Sequence, residues 1–283
     1  MLNNKYDFMV IFSVKNSNPN GDPLNGNRPR IDYKGIGEVS DVCLKRKIRN
    51  RWMQTGQKVF VQSDDLKLDA FKSLKDRLDA NIDKAVLKDK ALMTDAVCKE
   101  WLDVRAFGQV FAYEGKDKAK GVSVGIRGPV SLQTAFSANP VNITSTQITK
   151  SVNNAGDGTG KTSDTMGMKH RVDFGLYSFA GSINPQLAMK TGFSDEDAEA
   201  LKHALMTLFE NDASSARPEG SMEVIKVYWW KHQNPNGQYS AAKVHRSVRI
   251  ALKDGIVEPA SAEDYTIEAM PLQGLELMVL EGR

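Results

Sequence analysis

Cysteine is nearly missing from this 283-residue chain: there are two, Cys43 and Cys98, far apart in sequence. No Cys/His spacing of the metal-binding kind surrounds them, so neither a structural zinc nor a disulfide framework is expected. Histidine is also scarce, and the four present (His170, His203, His232 and His245) form no recognisable constellation. No Walker sequence and no Gly-x-Gly-x-x-Gly turn occurs, which argues against the common nucleotide-cofactor sites. No apolar run is long enough to span a bilayer. The first residues are polar and lack the apolar core of a signal peptide, so a cytoplasmic location is expected, with no membrane partner. A large charge of one sign is absent as well, since 38 cations face 35 acids for a formal +3. Any affinity for a polyanion must come from a local patch.

Such a patch exists. Five cations (Lys45, Arg46, Lys47, Arg49, Arg51) fall within seven consecutive positions, with no acid among them. Leu44, Ile48 and Trp52 recur at four-residue spacing and form a narrow apolar stripe through the same segment. Ser40 or Asp41 supplies the N-cap, because a short side-chain oxygen can accept from the first free amides. This spacing predicts a helix anchored by its stripe, with the charged surface left for a partner. Dense cations without acids at i,i+4 point to phosphate. Arg28 and Arg30, in the loop that precedes the helix, extend the patch.

Residues 6–14 are β-branched and aromatic and read as a strand, ended by Asn18-Pro19-Asn20-Gly21-Asp22-Pro23. Residues 64–104 read as charged helices, with one stripe at Leu66, Ala70, Leu74 and Leu78 and another at Val97, Trp101 and Val104. Segment 122–132 reads as strand and turn. Segment 139–171 is polar, with a Gly/Asn-rich tip at 153–160, and reads as a projecting hairpin. Met166 and Met168 on it fit either a local patch or subunit contact, or an apolar wedge between bases with Lys161, Lys169, His170 and Arg171 holding the backbone. Residues 172–183 form a further strand. Ser194-Asp195-Glu196-Asp197 starts a helix, with acids where the helix dipole favours them. A last strand covers 222–230; its neighbouring Trp229 and Trp230 face opposite sides, so at least one is expected in the core, and core packing is favoured over base stacking. Asn-Pro-Asn-Gly then recurs at 234–237. A strand–loop–helix unit near the start and strand–helix–strand near the end suit an α+β, ferredoxin-like βαββαβ core.

These motifs, in this order, resemble the Cas seven family, the repeated backbone subunit of CRISPR Cascade complexes, and within it the type I-C (Csd-two) version. The resemblance rests on the first Asn-Pro-Asn-Gly-Asp-Pro loop, the 41–50 helix, Arg105-Ala106-Phe107-Gly108, Arg127-Gly128-Pro129-Val130, Thr165-Met166-Gly167 with Lys169-His170, Gly192-Phe193-Ser194-Asp195-Glu196-Asp197, and Lys231-His232-Gln233-Asn234. It implies one elaborated RRM-like domain over 1–283, a palm with a helical finger insertion at 55–120 and a thumb β-hairpin at 139–171. The family's Ser-x-x-x-Leu-Lys-Arg-x-x-Arg pattern falls on Ser40, Leu44, Lys45, Arg46 and Arg49. The resemblance thus implies RNA binding by Asn20, Arg28, Arg30, Ser40, Lys45, Arg46, Arg49, Thr165, Met166, Lys169 and His170. Implied partners are CRISPR RNA, target DNA through guide pairing, copies of the chain in a helical filament, and Cas five type, Cas eight type and small subunits. No cofactor, bound metal or catalysis is expected. The alternative is a metal-dependent endoribonuclease on the same fold, using the loop aspartates Asp22 and Asp32.

Overall fold

The computed structural model describes residues 2–113, 122–149 and 166–283. Its centre is β1 (Tyr6–Ser17), and the sequence explains why. Tyr6, Phe8, Val10, Phe12 and Val14 occupy one face of the strand, while Met9 and Ile11 occupy the other. A strand apolar on both faces is driven to the middle of a sheet covered on both sides. After a short separate pair, β2 (Gly21–Asp22) and β3 (Arg28–Pro29), the strands that build the sheet around it are β4 (Ile36–Val39), β7 (Val130–Leu132), β8 (Ala135–Pro140), β9 (Ile143–Thr149), β10 (Met166–Ile183), β11 (Met222–Lys231) and β14 (Glu276–Glu281). Their order is β14-β11-β1-β10-β8-β4, with β7 and β9 also paired to β10, and every pairing is antiparallel.

Two helices cover one face. In α1 (Asp41–Gln54) Leu44, Ile48 and Trp52 are fully buried, as the four-residue spacing predicts. In α6 (Asp195–Met206) Ala198, Leu201 and Leu205 meet them. The indole of Trp52 donates to the Ala200 carbonyl at 3.2 Å, so its one polar atom is satisfied inside the core. Both predicted helix starts hold: Ser40 accepts from Cys43 N, and Ser194 and Asp197 form a capping box.

The other face lies under the C-terminal segment: α7 (Ala241–His245), β12 (Val248–Leu252) and β13 (Tyr265–Ala269). Neighbouring strand residues point to opposite faces. Trp229 therefore stacks on Phe8 among the helices, and Trp230 stacks on Tyr228 beneath the C-terminal segment. Both rings are core, where at least one was expected, because the sheet is covered on both faces.

A second cluster unites α2 (Leu74–Asn81), α3 (Lys90–Glu100), α4 (Leu102–Phe107), β5 (Gly108–Tyr113) and β6 (Val122–Arg127) around Phe60, Leu78, Met93, Val97, Trp101 and Val104. Here the periodicity reading needs correction. Val97, Trp101 and Val104 are buried, but of the other stripe only Leu78 is; Leu66 is 41% and Leu74 38% exposed, and no helix covers 64–73. Asp69 instead takes two bonds from the Arg77 guanidinium and holds that stretch as turns. The two clusters are locked by Arg105 of α4, whose guanidinium forms a two-bond pair with Asp197 of α6 at 2.7 and 2.8 Å.

The histidines also need correction, because two of them converge. Asp7 on β1 is fully buried and meets Lys5 Nζ at 2.7 Å, His232 Nε2 at 2.8 Å and His245 Nε2 at 3.8 Å, and it accepts from Ser182 Oγ. Gln238 N donates to His232 Nδ1 at 3.0 Å, which places the imidazole proton on Nε2, facing Asp7. The second Asn-Pro-Asn-Gly loop closes this cluster. Its Gly237 has φ +81°, and a Cβ there would lie 3.1 Å from His232 Nδ1. The loop is held by Lys5 N, which donates to the Asn234 carbonyl at 3.3 Å, and by Gln186 Nε2 of α5 (Pro185–Thr191), which donates to Asn236 Oδ1 at 2.8 Å.

Candidate nucleic-acid interface

The cation-rich face of α1 is not bare. Each cation has an acid: Lys45 with Asp41 at 2.9 Å, Arg46 with Asp65 at 3.0 Å, Lys47 with Asp212, Arg49 with Asp103 at 2.8 Å and Arg51 with Glu210 at 2.8 Å. The expectation that the helix lacks acids at i,i+4 is thereby overturned, since Asp41 and Lys45 are such a pair. It missed Asp41 because that residue precedes the cationic run. The other four acids are distant in sequence and leave no local trace.

Burial sorts these pairs. Lys47 is 4% and Arg51 9% exposed, so these two belong to the interior and not to a partner surface. Desolvation pushes the Lys47 ammonium below its ordinary pKa, against the pull of Asp212. Lys45 and Arg46 stand at 27% and 56%, paired with acids that are themselves 36% and 67% exposed. Such surface pairs contribute at most about 1 kcal/mol. A phosphate can take either cation at little cost. Arg49 is intermediate, with Nε committed to Asp103 and its guanidinium 5.2 Å from the Phe107 ring centroid.

The loop after β1 connects α1 to the projecting ribbon. Asn20 Oδ1 accepts from Ser40 N and from Ser40 Oγ, both at 3.0 Å, and so fixes the start of α1. Arg28 Nη1 donates to Ser145 Oγ on β9 at 2.7 Å, and His170 Nδ1 on β10 lies 2.8 Å from the same oxygen. Asn20, Ser40, Arg28 and His170 are thus joined through one loop, with Ser145 as a member that sequence reasoning missed. Arg30 stays beside Asp22 at 3.5 Å. On the ribbon, β9 and β10 pair from Ile143↔Val172 to Thr149↔Met166, and the strand residues near its end are exposed. Met166 is 60% and Met168 54% exposed, with Lys169 beside them. Lys161, Thr165 and the 153–160 tip lie outside the described residues.

Beside α1 runs a groove of about 310 Å³ lined by Asn20, Asn27, Arg46, Asn50, Asp212 and Arg217. Arg217 lies beyond α6 and carries no motif; only the fold brings it here, through a bond to Asp212 at 3.0 Å. The groove is rich in amide and guanidinium donors, which suits phosphate and sugar oxygens.

The two loop aspartates hold turns. Asp22 accepts from Leu24 N at 3.2 Å, and Asp32 Oδ1 accepts from Lys34 N and Ile36 N at 2.8 and 2.9 Å. Among the described residues no three His, Cys, Asp or Glu side chains gather as a metal site. No helix among them is long and apolar enough to cross a membrane.

A Haloferax volcanii protein described as CRISPR-associated protein Cas7 is 27% identical over 226 residues, which is 75% of this chain. The matched region spans 66% of that relative's length. Among solved structures, a chain of a CRISPR RNA-guided surveillance complex, pre-nicking, shares the fold at TM-score 0.50 and 16% identity, over 90% of this chain and 84% of that one. The family model for CRISPR-associated protein Cas7 matches residues 4–270, and the chain belongs to that family.

Proposed function

We propose that this chain is a non-catalytic CRISPR RNA-binding backbone subunit of a type I-C Cascade surveillance complex. It polymerises along the guide RNA and presents it for pairing with target DNA. The observation that carries the reading is the loop at 18–30. Through Asn20–Ser40 and Arg28–Ser145 it joins α1, the loop cations and the exposed ribbon into one continuous surface. Phosphate contacts of this kind hold a strand in register without reading its bases, so sequence is left to the guide.

The strand order supports an RRM-like palm. Taking β1, α1, β8, β10, α6 and β11 as βαββαβ, the observed order β11-β1-β10-β8 is 4-1-3-2. The separate cluster of α2 to β6 is then the finger and the β9–β10 ribbon the thumb. Unlike an RRM that stacks bases on its open sheet, this palm has its second face closed by β12 and β13. RNA therefore runs along α1 and the connecting loop. The site needs no cofactor; the partners are the guide, its target DNA, further copies in a helical filament, and Cas five type, Cas eight type and small subunits, in the cytoplasm.

The test is Lys45→Glu with Arg46→Glu, because these two cations are accessible while Arg49 is held against buried Asp103. The variant is expected to fold, to lose RNA when co-expressed with a CRISPR array, and to elute without nucleic-acid absorbance. Retention of RNA by the folded variant would sink the proposal. Incubation of the assembled protein with complementary RNA and magnesium or manganese is expected to leave that RNA uncut; periodic cuts lost in Asp32→Ala would favour a nuclease.

A further inference from the structure

Asp103 stands in the first turn of α4, fully buried, and its carboxylate is completely engaged. Phe60 N donates to Oδ1 at 2.7 Å, and Val61 N and Arg49 Nε donate to Oδ2 at 3.0 and 2.8 Å. A buried carboxylate with three donors is a built site, because an ion in that position is costly unless it is paired and bonded. The guanidinium of Arg49 is fixed twice. Asp103 takes its Nε, and the Phe107 ring lies under its plane, 5.2 Å from centroid to Cζ. Among the described residues Nη1 and Nη2 donate to nothing, and neither is a buried unpartnered atom. Lys45 Nζ lies over the same ring, 6.0 Å from its centroid. A guanidinium has a planar fork of donors, and holding that plane in advance removes the ordering cost of binding.

We propose that Asp103 is a positioning residue for RNA: through Nε it sets the Nη edge of Arg49 to take one RNA phosphate beside Lys45. This rests on the RNA-binding reading above and extends it, because Phe60 and Val61 start the second hydrophobic cluster. Packing of that cluster then controls the angle at which α1 presents a phosphate-binding fork.

The experiment uses the full chain and fluorescently labelled polyuridine RNA, a backbone probe without base sequence, titrated across a series of salt concentrations. Arg49→Gln is expected to weaken binding about tenfold, the scale of one charge-assisted bond, and to reduce the salt slope by about 0.7. Asp103→Asn keeps the shape but offers an amide nitrogen where an oxygen accepted; it is expected to lose the same affinity and slope. The double variant is expected to lose nothing more. Arg49→Lys keeps the ion pair with Asp103 and lacks the fork, so it is expected to melt like the parent and bind like Arg49→Gln. If Asp103→Asn fails to fold, Arg49→Lys carries the test. Parental affinity in Arg49→Lys, or additive losses in the double variant, would overturn the positioning role. If Lys45→Glu with Arg46→Glu also binds as the parent does, the RNA track itself is misplaced; if that pair alone loses binding, only the Asp103 inference fails.

Discussion

Arg28 Nη1 and His170 Nδ1 meet on one oxygen, the Ser145 hydroxyl, at 2.7 and 2.8 Å. A hydroxyl both accepts and donates, so one atom can serve both side chains. The contact is exposed, and surface bonds of this kind contribute about 1 kcal/mol or less. Its effect is on geometry: it holds the base of the ribbon against the loop that also caps α1. Ser145→Ala is expected to leave the melting temperature within a few degrees and to raise amide exchange along 143–149. RNA affinity is expected to fall less than in Arg28→Ala, which removes a charge and about 0.7 of salt slope. Unchanged ribbon exchange in Ser145→Ala would show that the contact does not tie the ribbon down.

Lys47 and Asp212 make the opposite prediction. Lys47 is 4% exposed and also lies 5.5 Å from the Phe209 ring centroid, so it is part of the interior despite its place in the cationic run. Asp212 accepts from both Lys47 and Arg217. Asp212→Ala leaves Lys47 as a buried charge without its acid, a loss on the order of 3 kcal/mol. Chemical denaturation is expected to show that drop in midpoint with little change in slope. Parental stability in Asp212→Ala would show that Lys47 is not held in the interior by that acid.

Met166 and Met168 stand 60% and 54% exposed on the ribbon. Truncating either exposes no core, so Met166→Ala is expected to melt like the parent. An apolar wedge between bases would unstack them at a cost the protein repays with other contacts. RNA carrying 2-aminopurine is therefore expected to brighten when bound by the parent protein and to brighten less with Met166→Ala, at equal saturation and unchanged salt slope. Equal brightening would leave the methionines as contacts between subunits.

The sequence made much of the frame legible, for a physical reason. Leu44, Ile48 and Trp52 must share a helix face, and the 6–14 run must be buried on both sides, because local periodicity dictates both. Ser40 and Ser194 announce their helices through short-range capping chemistry. What stayed hidden depends on long-range pairing. Asp103, Asp212 and Glu210 neutralise cations from 54, 165 and 159 positions away. Ser145 and Arg217 reach the site only through strand register and a distant turn. The 64–73 stretch misled because leucines at helical spacing say nothing about an aspartate, Asp69, that binds Arg77 and holds turns instead.

The buried cluster around Asp7 predicts how the protein responds to acid. Burial holds the His245 imidazole below its ordinary pKa of 6.5, against the attraction of Asp7, and Nε2 bonds the Gly181 carbonyl at 3.1 Å. Burial alone would raise the Asp7 carboxyl, yet bonds from His232, Lys5 and Ser182 outweigh it and hold the group below 3.8. For His245 the unfolded chain takes up a proton before the folded one does. Stability from this group is complete above about pH 6.5 and declines as pH falls below it, by at most ~1.4 kcal/mol per pH unit. For Asp7 the contribution is present above pH 3.8 and is lost as pH falls through the lower folded value. Melting temperature is therefore expected to fall in two stages on acidification. His245→Gln, whose amide can still donate to Gly181 O, should remove the upper stage and leave the lower one. An unaltered upper stage in that variant would assign it to another group, because Gln carries no titrating proton and His245 could no longer be its source.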